Sequence, residues 1–113
     1  LNCNRVALGH NKDDLIETSL LSLFYEGRFH TFSPVTYLDR KKLHVIRPLI
    51  YLEERHIIGF IKSRGLCTVP SPCRIDGKTR RQYVKELIRE MVRQNKDVKS
   101  SIFSAAMRLN GYN

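Results

Sequence analysis

The feature that most constrains this chain is a short stretch near its start, VALGHNKDDLIET, residues 6–18. Val6, Ala7 and Leu8 run apolar without polar alternation, the pattern of a strand covered on both faces. Gly9 and His10 follow, and a helix then opens on Asp13 and Asp14. A strand of this kind belongs inside a mostly parallel sheet, where each parallel neighbour is reached through a long crossover. Downstream the sequence offers one hairpin, in which Val35–Leu38 and Leu43–Ile46 flank Asp39-Arg40-Lys41-Lys42. One buried strand and one hairpin do not complete such a sheet. The missing strands are expected upstream of residue 1 or in another subunit, and the chain reads as the later half of an α/β domain.

Helices account for most of the rest. Asp13 or Asp14 is expected to cap a helix running to about Tyr25, with Ile16, Leu20, Leu23 and Phe24 on one face and Gly27 as its stop. Leu52 to Arg64 reads as a second helix, with Ile57, Ile58 and Ile61 inward and Gly65 closing it. An irregular crossing with two prolines leads to a third helix over about Thr79 to Gln94. Val84, Leu87, Ile88, Met91 and Val92 form its apolar stripe. A fourth helix spans about Asp97 to Leu109.

At 113 residues the chain holds one small domain at most. Its net charge of +9 favours a polyanionic partner, nucleic acid before membrane. No apolar run approaches the roughly 18 residues of a membrane span, and there is no leader-like segment, so a cytoplasmic location is expected. Cys3, Cys67 and Cys73 form no CxxC pair and leave an odd count, which argues for thiols in a reducing compartment.

In open α/β sheets ligands sit beyond the carboxyl ends of strands, and residues 9–18 occupy that place. Gly9 would let the backbone turn closely. The helix start offers free N–H groups and a positive dipole end. Asp13 and Asp14 carry the oxygen ligands that magnesium prefers, together with bound phosphates, and His10 could orient a phosphate or a leaving group. Capping explains one aspartate, and Glu17 is favourable near the positive end of the dipole. Two aspartates plus a histidine exceed that need.

On the third helix Lys78, Arg81, Lys85, Arg89 and Arg93 recur every three or four residues, roughly opposite Val84, Leu87 and Met91. A phosphate-binding face for RNA is one reading. A solvated face, bridged by Glu86 and Glu90, is the other. Arg80 falls nearer the apolar side and is expected to aim at the site from the helix start. Arg47, before Pro48 at a strand end, is either a further cation near the site or simply part of an Arg-Pro-Leu run that ends the strand and orients the next helix.

The segment ALGHNKDDLIETSLLSLFYEGR resembles the GHxxDDxxET motif of the PP-loop ATP pyrophosphatase superfamily, and within it the tRNA 2-thiocytidine biosynthesis proteins. VIRPLIYLEERHI (45–57), VPSPCRIDGKTRRQYVKELI (69–88) and SIFSAAMRL (101–109) support the same match in order. The resemblance implies the C-terminal half of a Rossmann-like adenine nucleotide alpha hydrolase (PP-loop) domain. Residues 1–76 would be its C-terminal part and 77–113 a C-terminal helical extension.

The resemblance further implies an enzyme that adenylates a tRNA base, cytidine in this branch, using ATP and Mg2+. It then inserts sulfur with a 4Fe-4S cluster, in partnership with tRNA and a sulfur donor protein. His10, Asp13 and Asp14 would be catalytic, with Asp14 a magnesium ligand; Gly9, Glu17 and Thr18 would face the nucleotide. Arg47, Lys78, Arg80, Arg81, Lys85 and Arg89 would meet the tRNA. Cys73 matches the third cluster ligand, although Pro70 stands where some relatives carry a second cysteine. Cys3 and Cys67 match no ligand and are expected to pack. The phosphate loop SGGxDS and the CxxC pair of the family are not found in these 113 residues and are expected upstream, so the isolated chain is expected to be inactive. Lysidine synthetases share the first motif. A non-catalytic basic RNA-binding module, or a homodimer formed through the unpaired strand, is the remaining alternative.

Overall fold

The computed structural model describes residues 3–69 and 75–112; Cys73 lies outside the described residues. The elements, in order, are β1 (Arg5–Ala7), α1 (Lys12–Glu26), β2 (Val35–Leu38), β3 (Leu43–Ile46), α2 (Glu54–Arg64), α3 (Ile75–Gln94) and α4 (Val98–Leu109). The architecture is a small α/β unit with one mixed three-stranded sheet.

β3 is the middle strand. It pairs antiparallel with β2, Val35 opposite Ile46 and Leu38 opposite Leu43. The expected hairpin is therefore present with its expected strands, and its turn closes with Lys42 at φ 51° in place of a glycine. β1 lies parallel to β3 on the other side, Val6 opposite Val45. One parallel neighbour of β1 is thus inside the chain, reached through the α1 crossover. The expectation of a strand covered on both faces is not met here. Arg5, Val6 and Ala7 are all exposed, and β1 forms an edge of the three-stranded sheet.

The core lies among the helices. Leu15 of α1 packs with Ile50, Ala106 and Met107, with Phe29, Phe32 and Phe103 against them. Ile16 and Leu20 pack with Val84 and Ile88 of α3. Burying two adjacent residues, Leu15 and Ile16, lets α1 face α4 and α3 at once. That wider face corrects the expected stripe: Leu23 and Phe24 are exposed, while Ser19 and Ser22 are buried. The two serines satisfy their hydroxyls on backbone carbonyls and so enter the core without a stranded polar group, Ser19 on Leu15 and Ser22 on His30.

Three helix boundaries also move. Asn11, and neither Asp13 nor Asp14, is the N-cap of α1; its side chain accepts from the Asp14 N–H while the Asp14 carboxylate accepts from the Asn11 N–H. This reciprocal pair is a capping box with Asp in the usual Glu position. α2 starts at Glu54 and buries none of its residues fully, leaving Ile58 exposed instead of inward. α3 starts at Ile75, earlier than the propensities around Gly77 imply. Gly27 and Gly65 end α1 and α2 in the left-handed conformation, as expected. Cys3 and Cys67 are exposed and do not serve as packing residues.

Candidate active site

The loop between α1 and β2 builds one half of the site. Ser22 anchors it by accepting the His30 N–H at 2.9 Å and donating to the His30 carbonyl at 2.7 Å. Thr31 donates to the Leu15 carbonyl, and Asn110 of the α4 terminus donates to the carbonyl of Phe32. Phe32 is thereby held beneath the end of β1. The His10 ring stacks on it at 4.7 Å between centroids and 23° between planes.

Arg47, at the end of β3, completes this cluster. Its Nε donates to His10 Nδ1 at 3.2 Å, and Nη1 donates to the Ser33 carbonyl at 2.7 Å and to Thr36 Oγ1 at 3.3 Å. The guanidinium also lies over the Phe32 ring at 4.7 Å. Burial lowers its pKa from the ordinary value. Two candidate residues 37 positions apart therefore meet because β1 and β3 are parallel neighbours whose carboxyl ends coincide.

The two aspartates go separate ways. Asp14 Oδ2 is committed to the capping box, and its second oxygen accepts no hydrogen bond among the described residues. Asp13 turns toward α2 and α4. Its Oδ2 accepts the Glu54 N–H at 2.6 Å and its Oδ1 accepts from Lys99 Nζ at 2.6 Å. Glu53, at the N-cap position of α2, makes no capping bond of its own, so a side chain from α1 caps α2. Lys99 also reaches Glu53 at 3.2 Å. Burial pushes the Asp13 carboxyl up, but Lys99 and the Glu54 N–H outweigh it and hold it below the ordinary carboxylate value. Burial would likewise lower the Lys99 ammonium, yet its two carboxylates raise it.

Glu17 is 5% exposed and faces α3. Arg81 Nη1 meets its Oε1 at 2.9 Å, and Lys85 Nζ stands 3.8 Å from Oε2 and 3.8 Å from Glu54. Burial is the stronger effect here and pushes the Glu17 carboxyl up despite both cations. Asp13, Glu17, Lys85, Arg89 and Lys99 share a cleft of about 390 Å³ between the α2 and α3 sides. Thr18, beside Glu17, is half-buried.

Several candidates thus find distinct places. Arg81 and Lys85 are engaged by Glu17, whereas Arg89 is exposed at the cleft rim. Arg80 lies over Tyr25 at 4.5 Å, in the last turn of α1, instead of aiming at the opposite end where His10 sits. The Lys78 side chain lies outside the described residues. A Cβ added at Gly9 would meet nothing within 4 Å, and Gly9 is not among the positive-φ residues, so the backbone here does not require glycine.

The donor chemistry bears on which ligands the site could hold. Among the described residues no three His, Cys, Asp or Glu side chains converge as a metal-binding group. Asp14 offers one uncommitted carboxylate oxygen, which fits a magnesium ion that takes its other oxygens from water and phosphate.

The chain is 41% identical over 105 residues to the tRNA-cytidine(32) 2-sulfurtransferase of Geobacter metallireducens, a match covering 91% of this chain and 41% of that protein. It is 38% identical over 107 residues to the enzyme of the same name from Geobacter sulfurreducens, covering 93% and 42%. The Coxiella burnetii protein of that name is 38% identical over 105 residues, covering 90% and 40%. The chain is a part-length relative of the tRNA-cytidine(32) 2-sulfurtransferases. This agrees with the resemblance carried by its four motifs. No family model matches the chain. It spans about two-fifths of the length of the curated sulfurtransferases it matches.

Against this sulfurtransferase background, Phe32 and Lys99 are the site residues that sequence reading missed. Phe32 sits in a loop between other aromatics with no periodicity to mark it. Lys99 is 86 positions from Asp13, and only the packing of α4 on α1 brings them together. No local pattern carries either.

Proposed function

We propose that this chain is the later part of an ATP-dependent tRNA thiolase acting on cytidine. His10 and Asp14 stand at its adenylation site, with Gly9, Glu17 and Thr18 on the nucleotide side. The reading is carried by one observation: the GHxxDDxxET residues fall at the carboxyl end of a parallel strand, in a chain matched over nine-tenths of its length by proteins named for tRNA cytidine thiolation. That strand end is where open α/β sheets bind ligands.

In this reading Asp14 supplies one oxygen to a magnesium ion, which neutralises phosphate charge when bound. Asp13 shapes the site by holding α2 and α4. Cys73 is one thiolate of a three-cysteine cluster site, the other two coming from sequence beyond these residues; cysteine thiolates are the usual cluster ligands. Residues 1–76 belong to the nucleotide-binding domain and 77–113 to a helical extension. The net charge of +9 suits tRNA as substrate, with Arg89, Lys78 and Arg80 as phosphate contacts, and a sulfur donor protein is the further partner. The relatives' names favour thiolation over lysidine formation. No helix among the described residues is long and apolar enough to cross a membrane.

The test is to sequence the DNA upstream of codon 1 and to assay the 113-residue chain alone. An in-frame SGGxDS loop followed by CxxC, with no thiolation by the isolated chain, is the expected result. A start codon at residue 1 with neither motif upstream, or thiolation by the chain alone, would overturn it.

A further inference from the structure

An imidazole can face a ligand in two chemically opposite ways. A bare ring nitrogen accepts a proton, and a protonated one donates a hydrogen bond; which nitrogen is which follows from the partner of the other. His10 has such a partner. Arg47 Nε–H points at His10 Nδ1 across 3.2 Å. A guanidinium has only donors and no acceptor, so Nδ1 must be the bare nitrogen, and the ring proton of neutral His10 must sit on Nε2.

The partner is itself fixed. Nη1 of Arg47 is held by the Ser33 carbonyl at 2.7 Å and by Thr36 Oγ1 at 3.3 Å, and Phe32 lies under both the guanidinium and the His10 ring. Rotating Arg47 away would break these contacts together. Turning the imidazole over would set a C–H against the Arg47 N–H and forfeit that bond. The Arg47 N–H therefore sets the ring state, and the Ser33, Thr36 and Phe32 contacts hold Arg47 in place.

We propose that Arg47 is the positioning residue of His10, locking it as the Nε2–H tautomer so that His10 serves the site as a hydrogen-bond donor and not as a general base. The outward group is then an N–H suited to an oxygen that carries or gains negative charge, such as a phosphate oxygen or a departing alkoxide or phosphate. The basic nitrogen is turned inward and occupied. The tautomer stands on geometry alone. Its use in catalysis rests on the thiolase reading above.

The decisive measurement is long-range proton–nitrogen NMR of the 113-residue chain, with histidine and arginine labelled, at pH 8. The expected spectrum shows His10 with a protonated Nε2 and a bare Nδ1, and an Arg47 Nε–H proton protected from solvent exchange. In Arg47→Ala the His10 nitrogens move toward the averaged values of two interconverting tautomers. A protonated Nδ1, or an unprotected Arg47 Nε–H, overturns the proposal without any variant, which covers the case in which Arg47→Ala fails to fold. An unchanged His10 spectrum in a folded Arg47→Ala chain also overturns it.

The donor role is tested in the longer thiolating protein. His10→Gln, which keeps an N–H, is expected to retain activity within roughly tenfold, and His10→Leu to lose far more. If Gln and Leu both fall by the 10²–10⁴-fold expected for loss of a general base, the donor role is wrong even with the tautomer established. Absence of thiolation in the unmutated longer protein would instead refute the thiolase reading and leave the tautomer standing.

Discussion

Replacing Asp13 with alanine should cost this fold more than replacing Asp14, although both open the same helix. Asp14→Ala removes half of a local capping box, worth about 1 kcal/mol. Asp13→Ala removes the cap of a different helix, again about 1 kcal/mol. It also removes a charge-assisted bond to Lys99 in a half-buried site, about 1.5–3 kcal/mol. Lys99 keeps Glu53 at 3.2 Å and is partly solvated, so part of that loss is recovered. A net cost of about 2–3 kcal/mol follows, against about 1 for Asp14. At this chain length about 4 °C of Tm accompanies each kcal/mol, so circular-dichroism melts at pH 7 should show drops of about 8–12 °C and about 4 °C. The pH dependence supplies an internal check. The Asp13 carboxyl is held below its ordinary 3.8 in the fold, so its contribution is complete above that value. It fades as pH falls through the lowered folded value. The gap between wild type and Asp13→Ala should therefore close in strong acid. A drop under about 2 °C at pH 7, or equal drops for both aspartates, would refute the cross-helix cap.

Glu17 should behave in the opposite sense. Its folded carboxyl is pushed above the ordinary 4.5, so its contribution is most favourable below that value and declines as pH rises through the raised one. Urea midpoints of wild type relative to Glu17→Gln should fall from pH 4 to pH 7; a relative rise would contradict the assignment. If the longer protein binds tRNA as proposed, Arg89→Ala in it should lower the slope of log tRNA affinity against log salt by about 1, whereas Arg81→Ala should act chiefly on stability because Glu17 holds that side chain. Equal slopes for Arg89→Ala and wild type would remove Arg89 from the interface. Gly9→Ala should leave the melting temperature within the scatter of surface substitutions, about 0.5 kcal/mol, because nothing lies within 4 Å of the added Cβ; weakened ATP binding in the longer protein would then mark Gly9 as a ligand-facing position, and unaltered binding would remove it from the site.

The parts of this molecule legible in the sequence are those decided locally. The hairpin strands are set by two short apolar runs around a charged turn. The stops of α1 and α2 are set by glycines that accept a left-handed backbone. The apolar stripe of α3 is set by helical spacing, with Val84 and Ile88 buried. What escaped reading depends on neighbours. Asn11 outcompetes the aspartates as cap because its short amide reaches the Asp14 N–H while Asp14 returns the bond, a reciprocity invisible in a single-residue preference. Leu23 and Phe24 are exposed because the buried face of α1 runs instead through Ser19, Leu20 and Ser22, although Arg80 of α3 reaches Tyr25 beside them. The apolar run at β1 overstates its burial, because β1 is an edge strand whose three residues are exposed. At the site, His10 and Arg47 were each visible as isolated oddities. Their contact came only from the parallel pairing of β1 with β3, and Phe32 and Lys99 came only from packing.

We propose that His10, Asp14 and Cys73 belong to one tRNA-thiolating enzyme. The most direct test is mass spectrometry of tRNA nucleosides from cells that lack their own cytidine thiolase and express the longer protein containing this chain. 2-Thiocytidine is expected with the unmutated protein, and its loss with Asp14→Asn or Cys73→Ser, each variant still folded and present at normal level. Undiminished 2-thiocytidine in both variants, or none with the unmutated protein, would contradict the proposal.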